Sequence, residues 1–349
     1  MEKKIAIGSR LVGEGEPCYI VAEAGVNHNG DLGMARRLIE ESQKCGADAV
    51  KFQKRTVEEI LIGEVLERSY TGRNALGPTY GEHRRKLELD SDVWYELSEL
   101  AQTLDISFFA SPWDMQSADF LEELGVPAFK IASADLTNLP LLEYIAKKHK
   151  PMLVSTGMSS MEEVAEAIER VQKVHNDIIL LHCVSTYPCS NEDVSLRVME
   201  TLRRRFDVLI GYSGHERGIA IPCAAVALGA VVIEKHFTLD RTLPGPDHAA
   251  SLEPQGLERL VHYTRMIESA MGDEEKRFLD AERPIRDRLA KSVVTRSEVK
   301  KGTVITEEML AIKGPGTGIP PGKLQQLYGK IARVDLEQDR LVPLEALDW

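Results

Sequence analysis

The chain has 349 residues, 43% hydrophobic and 28% charged, a globular mix that excludes a fibrous or disordered chain and allows two domains or one large barrel with an appendage. Acidic residues outnumber basic ones by 55 to 43, for a net charge of −12; this argues against a duplex-DNA binder but leaves room for a local basic pocket that takes an anion. No apolar stretch reaches the ~18–20 residues of a membrane helix, the first residues lead into no signal core, and five scattered cysteines without Cys-x-x-Cys spacing favour reduced thiols in the cytoplasm.

Short apolar, β-rich runs alternate with amphipathic helical runs. The first run covers 18–25 and leads into a helix at about 31–45. The second covers 49–53 and is followed by an irregular stretch over about 55–90, rich in Gly, Tyr, Arg and His. A connection of that length is usually functional. Helices are then predicted at 91–104, 115–124, 139–148, 160–174, 194–205 and 218–228. They lead in turn to apolar runs at 107–112, 128–133, 152–157, 178–185, 208–215 and 231–236, and a last helix fills 254–271.

Eight strand-then-helix units in roughly 255 residues meet the requirement of a (β/α)8 TIM barrel, and uninterrupted apolar strands suit a parallel sheet buried on both faces. The competing architecture is an open doubly wound sheet; no Gly-x-Gly-x-x-Gly follows the first run to support its dinucleotide-binding version. The barrel domain is predicted over 1–272 and a charged helical linker over 273–290. A small β-rich domain is predicted over 291–349, with a helical start at Glu307, a Gly/Pro-rich loop at 314–322 and an alternating run at 331–334. So small a core is marginal by itself.

In a barrel enzyme the chemistry sits at the carboxyl ends of the strands. Each run here carries polar groups late: Glu23; Lys51 and Gln53; Ser111; Lys130, Ser133 and Asp135; Ser155 and Thr156; His182 and Ser185; Ser213 and His215; Glu234 and His236. Charge buried at so many strand ends is costly unless paired or used. Blander readings stand beside each. Ser111 or Thr156 serves as a helix N-cap, Lys51 or Lys130 pairs with a carboxylate inside the barrel, and His182 is a hydrogen-bonded core residue. His215 and His236 end neighbouring strands, where two imidazoles share one divalent metal and leave coordination sites open. Asp247, after a Pro-Gly-Pro turn, holds a water or a substrate hydroxyl, or is simply a turn residue. Lysines, hydroxyls and a metal together suit carbon–carbon bond formation between an anionic donor and an aldehyde.

The runs from Ile20 to Asp31 (IVAEAGVNHNGD), Gly46 to Gln53 (GADAVKFQ), Phe129 to Ser133 (FKIAS), Ser155 to Met158 (STGM), Gly211 to His215 (GYSGH) and Glu234 to Asp240 (EKHFTLD), with PGPDH ending at His248 and SLEP ending at Pro254, resemble the sialic acid synthase family. The end domain is similar to that family's antifreeze-like (SAF) domain. The resemblance implies a TIM barrel joined to an SAF domain. It also implies metal-dependent condensation of phosphoenolpyruvate with N-acetylmannosamine or a related N-acyl hexosamine, giving an N-acetylneuraminate-type acid and phosphate. The implied cofactor is Mn2+ or Mg2+, and the implied partner is a second copy in a domain-swapped homodimer, with no nucleic acid or membrane. Carried onto this chain, the resemblance makes His215 and His236 the metal ligands and catalytic with Glu23 and Gln53. It places Lys51, Ser111, Lys130, Ser133, Ser155 and Ser213 on phosphoenolpyruvate, and Asp135, Ser185, Tyr187 and Asp247 on the sugar. Asp135 stands where many members carry Glu, and Gly314 where many bacterial members carry Arg.

The stretch from Tyr70 to Leu89 resembles the animal branch, whose sugar is the 6-phosphate. Its basic run His83, Arg84, Arg85, Lys86 either meets such a phosphate or is a solvated charge run. Pseudaminic or legionaminic acid synthesis by the same chemistry, a lysine Schiff-base aldolase and a non-catalytic sugar-binding protein are the competing functions.

Overall fold

The computed structural model describes residues 2–348 and divides into two compact units, one up to Gly272 and one from Asp273. In the first, eight strands are β1 (Tyr19–Gly25), β2 (Ala49–Lys54), β3 (Ser107–Pro112), β4 (Phe129–Ile131), β5 (Met152–Ser155), β6 (Ile178–Cys183), β7 (Leu209–Gly214) and β8 (Val232–His236). They form a closed barrel in sequence order, with β8 pairing in parallel with β1. Closure removes the open-sheet alternative. Every residue of β1, β6, β7 and β8 is buried, because one side of each strand faces the lumen and the other lies under helices.

The helices start where capping chemistry allows. Asp31 accepts the Met34 N–H at 2.6 Å and opens helix Leu32–Lys44, whose buried face is Ala35, Leu38, Ile39 and Ser42, a one-sided stripe at helical spacing. Ser160 and Glu163 form a reciprocal capping box at the start of helix Met161–Gln172. Helix Met115–Glu123 is capped by Asp114, which accepts the Ser117 N–H at 2.7 Å. The N-cap reading of Ser111 and Thr156 is therefore set aside.

The amino end of the barrel carries an antiparallel hairpin, Lys4–Ile7 with Arg10–Gly13, which buries Ile5, Ile7 and Val12 in the core. Its strands are too short to show a period in the sequence. Beside it, buried Asp48 accepts the Ile20 N–H at 2.8 Å and pairs with Arg10 at 2.6 Å and Arg265 at 3.1 Å.

The stretch over 55–90 is more ordered than a loop, with short helices Val57–Ile60, Gly63–Leu66 and Tyr80–Lys86. Of the linker expected to be helical, only 280–282 and 283–289 are so; its large apolar side chains, Phe278, Leu279, Ile285 and Leu289, are exposed, so no core burial supports a longer helix. In the second unit Ser292–Thr295 pairs antiparallel with Leu310–Lys313. The core there includes Val293, Val299, Ile305, Leu327 and Leu336. Glu307 starts only a 3-10 turn, and 331–334 makes isolated bridges rather than a strand. No described helix is long and apolar enough to cross a membrane.

Candidate active site

Alternation along a strand turns every second side chain into the lumen. At the carboxyl ends this brings Glu23, Lys51, Gln53, Ser111, Lys130, Ser155, Cys183, Ser213, Glu234 and His236 into the wall of one cavity of about 240 Å³. Loops after the strands add Trp113, Ser133, Ser185, Tyr187 and His215.

Four charges occupy its floor. Lys51 Nζ lies 2.8 Å from Glu23 and 3.6 Å from Glu234, and Lys130 Nζ lies 3.6 Å from Glu234. All four side chains are almost wholly buried, so each depends on the others for its charge. Burial pushes Glu23 up to about 7, against the pull of Lys51. Burial also opposes the Glu234 charge, yet Lys130 and Lys51 hold it below the usual carboxylate range. Lys51 faces the same burial but is held above its ordinary value by Glu23 and Glu234, whereas burial pulls Lys130 down. Gln53 donates to Glu23 at 2.8 Å, Ser213 to Glu234 at 2.9 Å, and Lys51 to Ser111 at 3.2 Å.

Some atoms are left over. Ser155 Oγ, Asp135 Oδ2 and His236 Nδ1 are buried with no hydrogen-bond partner among the described residues. A buried polar atom without a partner is expensive, and the two that wall the cavity, on Ser155 and His236, point to a ligand. Gly157 is part of the same construction. Its N–H donates to Ser133 Oγ at 3.1 Å, and a Cβ there would come 2.1 Å from Ser185 Oγ and 2.8 Å from Ser133 Oγ. Only glycine lets those two hydroxyls approach.

The two imidazoles lie with ring centroids 5.3 Å apart. His215 Nδ1 is 2.7 Å from the Val184 carbonyl, which accepts only, so in the neutral ring the Nε2 lone pair stays free. Burial, followed by repulsion from His215 and the lysines, pulls His236 well below its ordinary value and keeps it neutral. Asp247 Oδ2 stands 3.9 Å from its Nδ1. Burial opposes a proton on His215, but Cys183 and the Val184 carbonyl hold it above its ordinary value, so His236 offers its lone pair directly and His215 would release a proton on taking a divalent cation. Among the described residues no three His, Cys, Asp or Glu side chains converge as a complete ligand set, so water and substrate oxygens would fill the remaining positions.

Of the predicted site residues, only Asp135 and Asp247 are absent from the cavity wall. Asp247 reaches the site beside His236, and Asp135 Oδ1 accepts from Asn138 at 3.3 Å. His182 is a core residue, its Nε2 2.6 Å from the Val194 carbonyl. The ion-pair reading of Lys51 and Lys130 holds together with their place in the cavity. Sequence reasoning noted Glu234 but gave it no role, and it missed Cys183, Trp113 and Arg55. The period-two spacing of Lys51, Gln53 and Arg55, and of Glu234 and His236, was the available signal.

The NeuB family profile matches residues 38–276 and the SAF domain profile residues 290–348. The chain is 45% identical to human N-acetylneuraminate-9-phosphate synthase over 97% of its own length and 95% of the relative's. It is 42% identical to N,N'-diacetyllegionaminic acid synthase of Legionella pneumophila over 94% of each chain. The solved N-acetylneuraminic acid synthetase of Leptospira borgpetersenii, in complex with citrate, aligns with a TM-score of 0.72 at 36% identity, covering 82% of this chain and 95% of that one. With its barrel, its carboxyl-end cavity and these matches, the chain belongs to the NeuB family of sialic acid synthases and carries an SAF domain.

Proposed function

We propose that the protein condenses phosphoenolpyruvate with the open-chain aldehyde of N-acetylmannosamine or a related N-acyl hexosamine. The enol carbon bonds to the aldehyde carbon, water adds at C2 of the former enol, and the bond from C2 to the phosphate's bridging oxygen breaks. The products are a nine-carbon 2-keto acid and inorganic phosphate. The observation that carries this reading is the pair of buried ammonium groups, Lys51 and Lys130, beside the unpartnered Ser155 hydroxyl and the imidazole pair in one cavity.

In this reading Lys51 and Lys130 neutralise the donor's phosphate and carboxylate, and the Ser111, Ser133, Ser155 and Ser213 hydroxyls fix its oxygens. Against its burial, Glu23 and Glu234 hold Lys51 above its ordinary value, which keeps it an ammonium group and unsuited to imine formation. Glu23, pushed up to about 7 by burial, holds and releases a proton at the reacting centre, with Gln53 keeping its carboxyl in place. His215 and His236 would hold a divalent cation, Mn2+ or Mg2+, and when bound it supplies a Lewis acid for the aldehyde carbonyl. Asp135, Ser185, Tyr187 and Asp247 take the sugar hydroxyls. Five unpaired thiols support a reducing, cytoplasmic setting, and pairing of two copies belongs to the same proposal.

The test is release of inorganic phosphate from phosphoenolpyruvate across a panel of N-acyl hexosamines with Mn2+ or Mg2+. Release that requires both organic substrates is expected, and the preferred sugar separates neuraminic from legionaminic or pseudaminic substrates. No release with any sugar would overturn the reading.

A further inference from the structure

Behind the imidazole pair, three polar side chains bond to one another inside the barrel wall. Along β8, Glu234 and His236 wall the cavity, so alternation turns Lys235, between them, the other way. Lys235 is 1% exposed. Its Nζ donates to the Glu216 carbonyl at 2.5 Å and to Glu216 Oε1 at 3.0 Å. Glu216 is wholly buried, and its Oε2 accepts the Tyr212 hydroxyl at 2.6 Å. Tyr212 belongs to β7, and Glu216 directly follows His215. None of the three lines the cavity.

These bonds tie the backbone of one histidine to that of the other. In the register of β7 and β8, Lys235 stands opposite Gly214, and its ammonium reaches past the end of β7 to the residue after His215. A Cβ at Gly214 would come 2.6 Å from Glu216 Oε2 and 2.6 Å from the Tyr212 ring, so only glycine lets the Glu216 carboxyl fold back beneath the strand. The His215 carbonyl is held as well, accepting the Cys189 N–H at 3.1 Å. For stability alone, apolar side chains of similar volume usually do as well as a buried ion pair. What the charged group adds is direction. Its hydrogen bonds fix Glu216 against Lys235, and therefore His215 against His236, whose ring centroids stand 5.3 Å apart.

We propose that Tyr212, Glu216 and Lys235 are positioning residues that hold His215 and His236 at the separation a shared divalent cation requires. This rests on the proposal above that the two imidazoles take that cation. The test measures Mn2+ dissociation, from the paramagnetic resonance signal of the free ion, in wild type, Lys235→Met, Tyr212→Phe and Lys235→Arg. Phosphoenolpyruvate binding without metal is followed in parallel by calorimetry. Lys235→Met should weaken Mn2+ binding at least about tenfold and Tyr212→Phe by less, whereas Lys235→Arg, which keeps donors for both Glu216 oxygens, stays near wild type. Phosphoenolpyruvate binding should be unchanged throughout. The proposal is overturned if folded Lys235→Met binds Mn2+ as wild type does and only its thermal midpoint moves. It is also overturned if phosphoenolpyruvate is lost to the same degree, which marks general damage to the barrel rim. Should Lys235→Met fail to fold, Tyr212→Phe decides by the same two readings. Failure of the metal reading looks different, because wild type then binds Mn2+ no better than His236→Ala. In that event a crystal structure of Tyr212→Phe decides: imidazoles displaced by about 1 Å or more support the positioning role, and an unmoved pair removes it.

Discussion

Each end of the barrel buries carboxylates against cations, with opposite results. At the amino end Asp48 is saturated: it takes the Ile20 N–H and two guanidiniums, Arg10 and Arg265. At the carboxyl end Glu23 and Glu234 share two ammonium groups, while Ser155 Oγ, Asp135 Oδ2 and His236 Nδ1 find no partner. Buried charge alone therefore does not mark a site. Satisfied charge holds the fold, and unsatisfied polar atoms beside a cavity await a ligand.

This contrast breaks most visibly if the two ends respond alike to substitution. Lys130→Met should lower kcat/KM for phosphoenolpyruvate by about 10³-fold, about 4 kcal/mol. Its thermal midpoint should fall by only a few degrees, since Glu234 keeps Lys51 and Ser213. Asp48→Ala should do the reverse. Loss of its buried bonds costs about 2–4 kcal/mol of unfolding free energy, read by urea denaturation, with kcat preserved in the folded fraction.

His28 sharpens the criterion. Its Nε2 is also buried and unpartnered, yet the residue does not line the cavity. It stacks on Phe52 at 5.6 Å and accepts the Gly30 N–H at 3.0 Å. It should therefore act on stability and not on chemistry. Burial, then the Arg55 charge, pulls it down to about 3, so below the ordinary value near ~6.5 only the unfolded chain takes the proton. Its contribution is intact above that pH and is lost as pH falls toward about 3, at about 1.4 kcal/mol per pH unit. His28→Asn, which keeps an acceptor for Gly30, should flatten the acid limb of the stability curve. The smallest effect expected is that of Ser155→Ala: a KM for phosphoenolpyruvate raised several-fold, about 1 kcal/mol, with stability unchanged or slightly raised because an orphaned hydroxyl is gone.

The barrel was legible because eight apolar runs alternate with helical ones, and periodicity survives single-chain reading. Most of the cavity wall was legible for a related reason: strand ends converge in this architecture, so late polar residues such as Lys51 and Ser213 meet whatever their sequence separation. Three things were not legible. The hairpin at the amino end is too short to carry a period. Arg84 and Arg85 are adjacent in sequence, but one turns onto Trp113 and the other onto Glu58, a choice made by tertiary packing. Gly157 looks like a turn residue until Ser133 and Ser185 close over it.

A crystal structure of the protein soaked with phosphoenolpyruvate decides the central claim most directly. The account predicts the molecule's anionic groups against Lys51 and Lys130, with Ser155 Oγ donating to one of its oxygens. Phosphoenolpyruvate bound elsewhere, with those ammonium groups still turned only to Glu23 and Glu234, would contradict it.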